Sequence, residues 1–220
     1  IDEDKLLEIM ENMLKTGLLK EGVIRGEDVY SFADIIVRDV VYEEVSRLRR
    51  KKLHNVVGTA LAKVYAEKID EHYGELAFHF LESDDKEKAL DYFSKAGERA
   101  QNVYALAEAF SYLKHALELL EEKEDNTEEK ARTIERLGYL KMWMGESDTA
   151  FAYLNNSLTL WSQLGDKRNV ARLHAKIAQW LWHLVGDKEK ASEHHRIALE
   201  ILEKEPESLE LASLYEDISH

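Results

Sequence analysis

Nine histidines are the residues of this 220-residue chain that most invite a chemical reading. Neutral imidazoles at the right spacing hold zinc or a related metal. The spacing here opposes that. His194 and His195 are adjacent, so on a helix they point about 100° apart and cannot easily share one ion. His72 and His79 stand two turns apart, and no His-Glu-x-x-His pair occurs. The 44 acidic residues offer carboxylate pairs throughout, but none is marked by apolar flanks that would raise a pKa for acid–base catalysis. Solvated helix faces account for them. Cysteine is absent, which removes thiolate nucleophiles, disulfides and cysteine zinc sites. No Gly-x-x-x-x-Gly-Lys-Ser/Thr phosphate loop is present, so nucleotide hydrolysis is not expected from this chain. The expectation is a protein that is not an enzyme and carries no metal or cofactor.

What remains is binding chemistry. Acidic residues outnumber the 30 basic ones by 14, and a surface of that sign disfavours nucleic acid and anionic membrane as partners. The one basic island is Arg47, Arg49, Arg50, Lys51 and Lys52, which reads as a solvated helix face or an intramolecular contact. Four tryptophans are more telling. Trp161 falls on an apolar stripe and belongs to a core, whereas Trp143, Trp180 and Trp182 lie late in the helices that alternate with it. No run approaches the roughly 18 uncharged apolar residues of a membrane span, so a cytoplasmic protein is expected. A chain that opens on Ile1 rather than Met is expected to be a piece of a longer protein.

The elements that would position these residues repeat. Ala109, Ala150 and Ala191 lie 41 residues apart, as do Ala116, Ser157 and Ala198, and Leu117, Leu158 and Leu199. Gly145 and Gly186 share that offset. A shifted copy holds Ala89, Tyr92, Phe93 and Ala96. Within a copy the apolar positions follow i, i+4, i+7, i+8 and i+11, one stripe along a helix. Small residues recur because helix axes about 8–10 Å apart leave no room for a large side chain at the crossing. The pattern predicts helices near 71–82, 85–102, 105–122, 127–144, 147–164, 167–184, 187–204 and 207–219. Turns are expected at Ser83–Asp85, Gly145–Ser147, Gly165–Asp166 and Gly186–Asp187, with Thr127 as an N-cap after an acidic loop.

Before about residue 70 the texture differs. Helical periodicity over Asp2–Lys15 leads to two short strand signals, Leu18–Ile24 and Val29–Phe32, joined through Gly26 as a hairpin. The segment from Asp34 to Glu44 is rich in β-branched residues, yet Ile36, Val37, Val40, Val41 and Val45 keep helical spacing, so it is read as helix. A further helix is expected from about Arg47 to Glu67.

The repeat resembles the tetratricopeptide repeat, whose first helix carries a late small residue and whose second carries a small–large–small set. Gly97 precedes Ala109, Leu113 and Ala116; Gly138 precedes Ala150, Leu154 and Ser157; Ala77 precedes Ala89, Phe93 and Ala96. Ala178 precedes Ala191, His195 and Ala198 with one residue more, assigned to the turn. The period of 41 exceeds the family's usual value of about 34, and the repeat-ending proline is missing. The resemblance implies an all-α superhelix of antiparallel helix pairs. Its concave face would receive Tyr139, Met142 and Trp143 from one repeat and Gln179, Trp182 and His183 from the next. Those six are the candidates for a peptide groove.

The amino-terminal phrases resemble the junction at which a winged-helix segment closes the ATPase module of STAND signal-transduction ATPases and leads into a tetratricopeptide sensor array. They are the helix and hairpin, then Tyr30–Glu43, then Leu48 to His54. The resemblance implies a winged-helix remnant over residues 1–46, an α-solenoid over 47–220, and an ATPase in the same polypeptide before Ile1. The function it implies is a protein- or peptide-binding scaffold and sensor for signal transduction. Two alternatives remain at the level of sequence: a DNA-binding regulator fragment using the winged-helix part, and a small-ligand sensor.

Overall fold

The computed structural model describes residues 2–24, 26–123 and 125–204. The chain divides into two compact units, Ile1–His54 and Asn55–His220, with the division inside one helix.

In the first unit, helix α1 (Glu3–Lys15) precedes strands β1 (Leu19–Ile24) and β2 (Glu27–Phe32). The strands pair antiparallel from Leu19 opposite Phe32 to Ile24 opposite Glu27. Gly26 in the connecting turn has φ +86°, a conformation open to glycine without strain. Helix α2 (Ile35–Glu44) follows. Asp34 caps it by accepting the Ile36 N–H at 2.7 Å, so the helical spacing prevails over β-branched propensity. Helix α3 (Arg47–Val64) begins in this unit and ends in the next.

In the second unit a 3₁₀ segment, Ala66–His72, leads to helices α4 (Tyr73–Glu82), α5 (Lys86–Asn102), α6 (Leu106–Glu121), α7 (Thr127–Trp143), α8 (Ser147–Gln163), α9 (Lys167–Trp180) and α10 (Lys188–Leu202). Consecutive helices pack against one another as antiparallel pairs. The predicted boundaries hold to within about two residues, except that α3 ends at Val64 rather than Glu67, α9 ends as an α-helix at Trp180, and Thr127 is the first helical residue rather than the cap. The predicted helix at 207–219 lies outside the described residues. Asp85, Asp166 and Asp187 cap α5, α9 and α10 by accepting the N–H groups of Lys88, Asn169 and Lys190.

The small residues sit where helices touch. Ala77, Ala89, Ala109, Ala116, Ala150, Ala178, Ala191 and Ala198 are wholly inaccessible to solvent, and Ala96, Gly97 and Gly138 are buried with them. A Cβ on Gly138 would lie 2.7 Å from Leu154 Cδ2, and one on Gly97 would lie 2.8 Å from Leu113 Cδ2. Leu113 and Leu154 therefore each enter a notch that a glycine leaves in the preceding helix. Gly58 on α3 does the same against His79 and Phe80 of α4, a position that the periodicity does not single out. Ser157 fills an alanine position because its hydroxyl donates to the Ala131 carbonyl at 2.9 Å, which satisfies the buried oxygen. Leu113, Leu137, Leu154, Leu173, Ile177 and Trp161 complete the core, each contributing about 1.5–3 kcal/mol through burial.

The residue that distinguishes the last repeat is not in the turn. It widens the end of the first helix into a π-turn, Leu181–Val185, closed by a bond from the Gly186 N–H to the Leu181 carbonyl at 2.8 Å. Five residues there occupy the space of four, and the side chains beyond the wide turn rotate relative to an unbroken α-helix.

A candidate groove between α7 and α9

The first helices of successive repeats stand side by side, and a groove of about 600 Å³ opens between α7 and the α9 π-turn extension. Tyr139, Met142 and Trp143 line one wall; Arg172, Lys176, Gln179, Trp180, His183 and Leu184 line the other. Five of the six residues expected on the concave face are brought together. Trp182 is not among the lining residues. The π-turn carries it away from the groove, where it packs against the core beside Trp180 and Leu181, with the Lys188 ammonium 4.9 Å from its ring centre. Trp180 and Leu184 take its place. Trp180 is nearly buried, whereas Trp143 is 58% and Leu184 76% exposed, so the outer walls are open apolar surface.

The floor is polar. Glu135, 5% exposed, accepts two hydrogen bonds of 2.7 Å from the Nη1 and Nη2 groups of Arg172, and Arg172 Nε donates to Asn169 Oδ1 at 3.1 Å. This bidentate pair joins α7 to α9. The carboxylate raises the Arg172 pKa further and fixes the guanidinium as a permanent charge. The Tyr139 hydroxyl lies in the same buried region without a hydrogen bond of standard geometry, and burial together with Glu135 pushes its pKa well above the usual phenol value. The phenol stays neutral. Glu135 corrects the expectation that every carboxylate lies on a solvated face. It corrects the expectation of no apolar flanks as well, because Ala131, Ile134, Leu137 and Gly138 on the same helix are buried around it.

A second polar cluster lies between α9 and α10. His174 Nδ1 and His194 Nδ1 are 2.8 Å apart, so one neutral ring donates and the other accepts. The ring centres are 4.9 Å apart, which leaves the two nitrogens nearly head to head. Desolvation lowers the His174 pKa to about 4, and His194 is lowered for the same first cause. The neighbour of His194 in sequence, His195, is buried on its own face of α10. Among the described residues no group of three or more histidine or acidic side chains is placed to hold a metal.

Residues 129–204 match the tetratricopeptide-repeat family model. That segment runs through α7 to α10 and contains the whole groove. The repeat architecture also appears in solved structures of low identity. Aspartyl phosphate phosphatase F from Bacillus subtilis superposes with a TM-score of 0.58 at 14% identity, over 80% of this chain and 46% of that one. The apo form of RapI superposes with a TM-score of 0.56 at 18% identity, over 84% of this chain and 53% of that one. These are likenesses of fold. An uncharacterized protein of Rhizobium meliloti (strain 1021) is 28% identical over 109 residues, which is 50% of this chain but 11% of that protein. Among the described residues no helix is long and apolar enough to cross a membrane.

Proposed function

We propose that this chain is a protein–protein interaction module whose tetratricopeptide-type repeats hold a peptide segment of a partner in the α7–α9 groove. The open aromatic wall carries this reading. Trp143 and Leu184 expose large apolar surfaces beside a groove whose floor is fixed by the Glu135–Arg172 pair. Exposed aromatic anchors over a rigid floor are where binding energy concentrates in an interface. Nothing in the lining is arranged as a nucleophile with an adjacent base, so the groove holds rather than transforms its occupant.

The helix and hairpin of residues 1–46 are read as the close of a winged-helix segment, and the repeats of 47–220 as the sensor of a cytoplasmic STAND-type signalling ATPase. Binding in the groove would then be relayed to an upstream domain of the same polypeptide.

The test is capture of binding partners by Trp143→Ala beside wild type, with circular dichroism to verify the helical fold. Trp143→Ala should lose most partner affinity, and Trp182→Ala, once its fold is verified, should retain it. Unchanged capture by Trp143→Ala rejects the groove.

A further inference from the structure

The groove is charged against the sign of the molecule. Of 220 residues 44 are acidic, yet none of the nine lining residues is a carboxylate, while Arg172, Lys176 and His183 are all among them. The two cations differ in their state. Arg172 has committed both terminal nitrogens to Glu135. Lys176, one turn further along α9, is exposed, and its ammonium reaches only the Gln179 side-chain oxygen at 3.4 Å. It has no carboxylate partner among the described residues, whereas Lys86, Lys88, Lys95, Lys141, Lys190 and Lys204 each pair with one. Beside it lie the exposed rings and methyls of Trp143 and Leu184.

Resting on the peptide-binding reading above, we infer that the occupant of the groove is an acidic peptide segment carrying a large apolar side chain, with a Glu or Asp carboxylate paired to Lys176. The apolar side chain covers Trp143, Leu184 and Met142. A basic segment would place like charge against Lys176 and the Arg172 guanidinium, a mismatch that costs affinity and selects against such partners. The overall negative charge of the protein repels acidic chains at long range, but salt screens that field beyond about 8 Å at physiological ionic strength, so the local cation decides the choice at contact.

The experiment displays a random dodecapeptide library and pans it on the 220-residue chain. Trp143→Ala serves as the counter-selection and Lys176→Glu as the charge reversal. Both positions are exposed, and circular dichroism verifies each fold. The expected result is a pool that binds wild type but not Trp143→Ala, enriched in Glu and Asp next to Trp, Phe, Leu or Met. The strongest acidic peptide should bind Lys176→Glu about tenfold more weakly, and panning on that variant should shift the pool toward Lys and Arg. A Trp143-dependent pool with no acidic enrichment, or with a basic one, overturns the inference and leaves the peptide groove standing. A pool that ignores Trp143 overturns the groove itself, and the inference with it.

Discussion

His174 shows what one buried ring does to pH dependence. Its pKa in the folded chain is about 4, against an ordinary 6.5, because burial disfavours the imidazolium and the neighbouring His194 adds to that. The unfolded chain therefore takes up the proton first as pH falls. Stability is full above about pH 6.5 and drops between 6.5 and about 4, by up to about 1.4 kcal/mol per pH unit for one proton. His194, lowered in the same direction, contributes to the same window. Urea unfolding of wild type and His174→Gln at pH 7.5 and pH 5 checks this. The variant should lose less stability on acidification than wild type, and an equal loss in both proteins contradicts the assignment. Glu135 teaches a related lesson. Its partner Arg172 is 37 positions away on another helix, and periodicity within one helix carries no information about that pairing. The apolar residues flanking Glu135 were the only local sign that it is buried.

The elements themselves were legible because each is held in place by a local rule the sequence repeats. Asp85, Asp166 and Asp187 start helices, Gly145, Gly165 and Gly186 end them at positive φ, and a glycine notch meets a leucine at Gly97–Leu113 and Gly138–Leu154. Gly138 makes the sharpest case. Its notch admits Leu154, whose Cγ and Cδ2 would lie within 2.8 Å of an added methyl, and both residues are buried. Gly138→Ala should therefore destabilise the chain despite alanine's better helix propensity, by about 1–3 kcal/mol from overpacking less about 1 kcal/mol of propensity gain. A thermal melt that moves upward for this variant would contradict the notch. The π-turn was the element that spacing alone misplaced. The offset between Ala178 and Ala191 shows that one residue is added but not where, and placing it in the turn put Trp182 on the groove. In the structure the helix absorbs it, so His183 and Leu184 point where Met142 and Trp143 point one repeat earlier.

At the scale of the whole chain, stacking the first helices of adjacent repeats creates a surface that no single helix has. α7 supplies an aromatic wall, α9 a cationic one, and the ion pair between them keeps the floor closed. A repeat fold carries such surfaces without any catalytic constellation, because each repeat needs only its neighbours for stability. Which residues form the wall was largely readable from the repeat register, and Tyr139, Met142, Trp143, Gln179 and His183 all line it. The character of the occupant was not readable, since it depends on the absence of carboxylates from a lining assembled by two helices. Amide hydrogen exchange with and without the strongest peptide from the panned pool measures the central claim directly. Slowed exchange is expected to concentrate in residues 139–144 and 176–186, the end of α7 and the π-turn, where amides near a helix end are free to report cover. Slowing confined to residues 2–54, or to the opposite faces of α8 and α10, would contradict it.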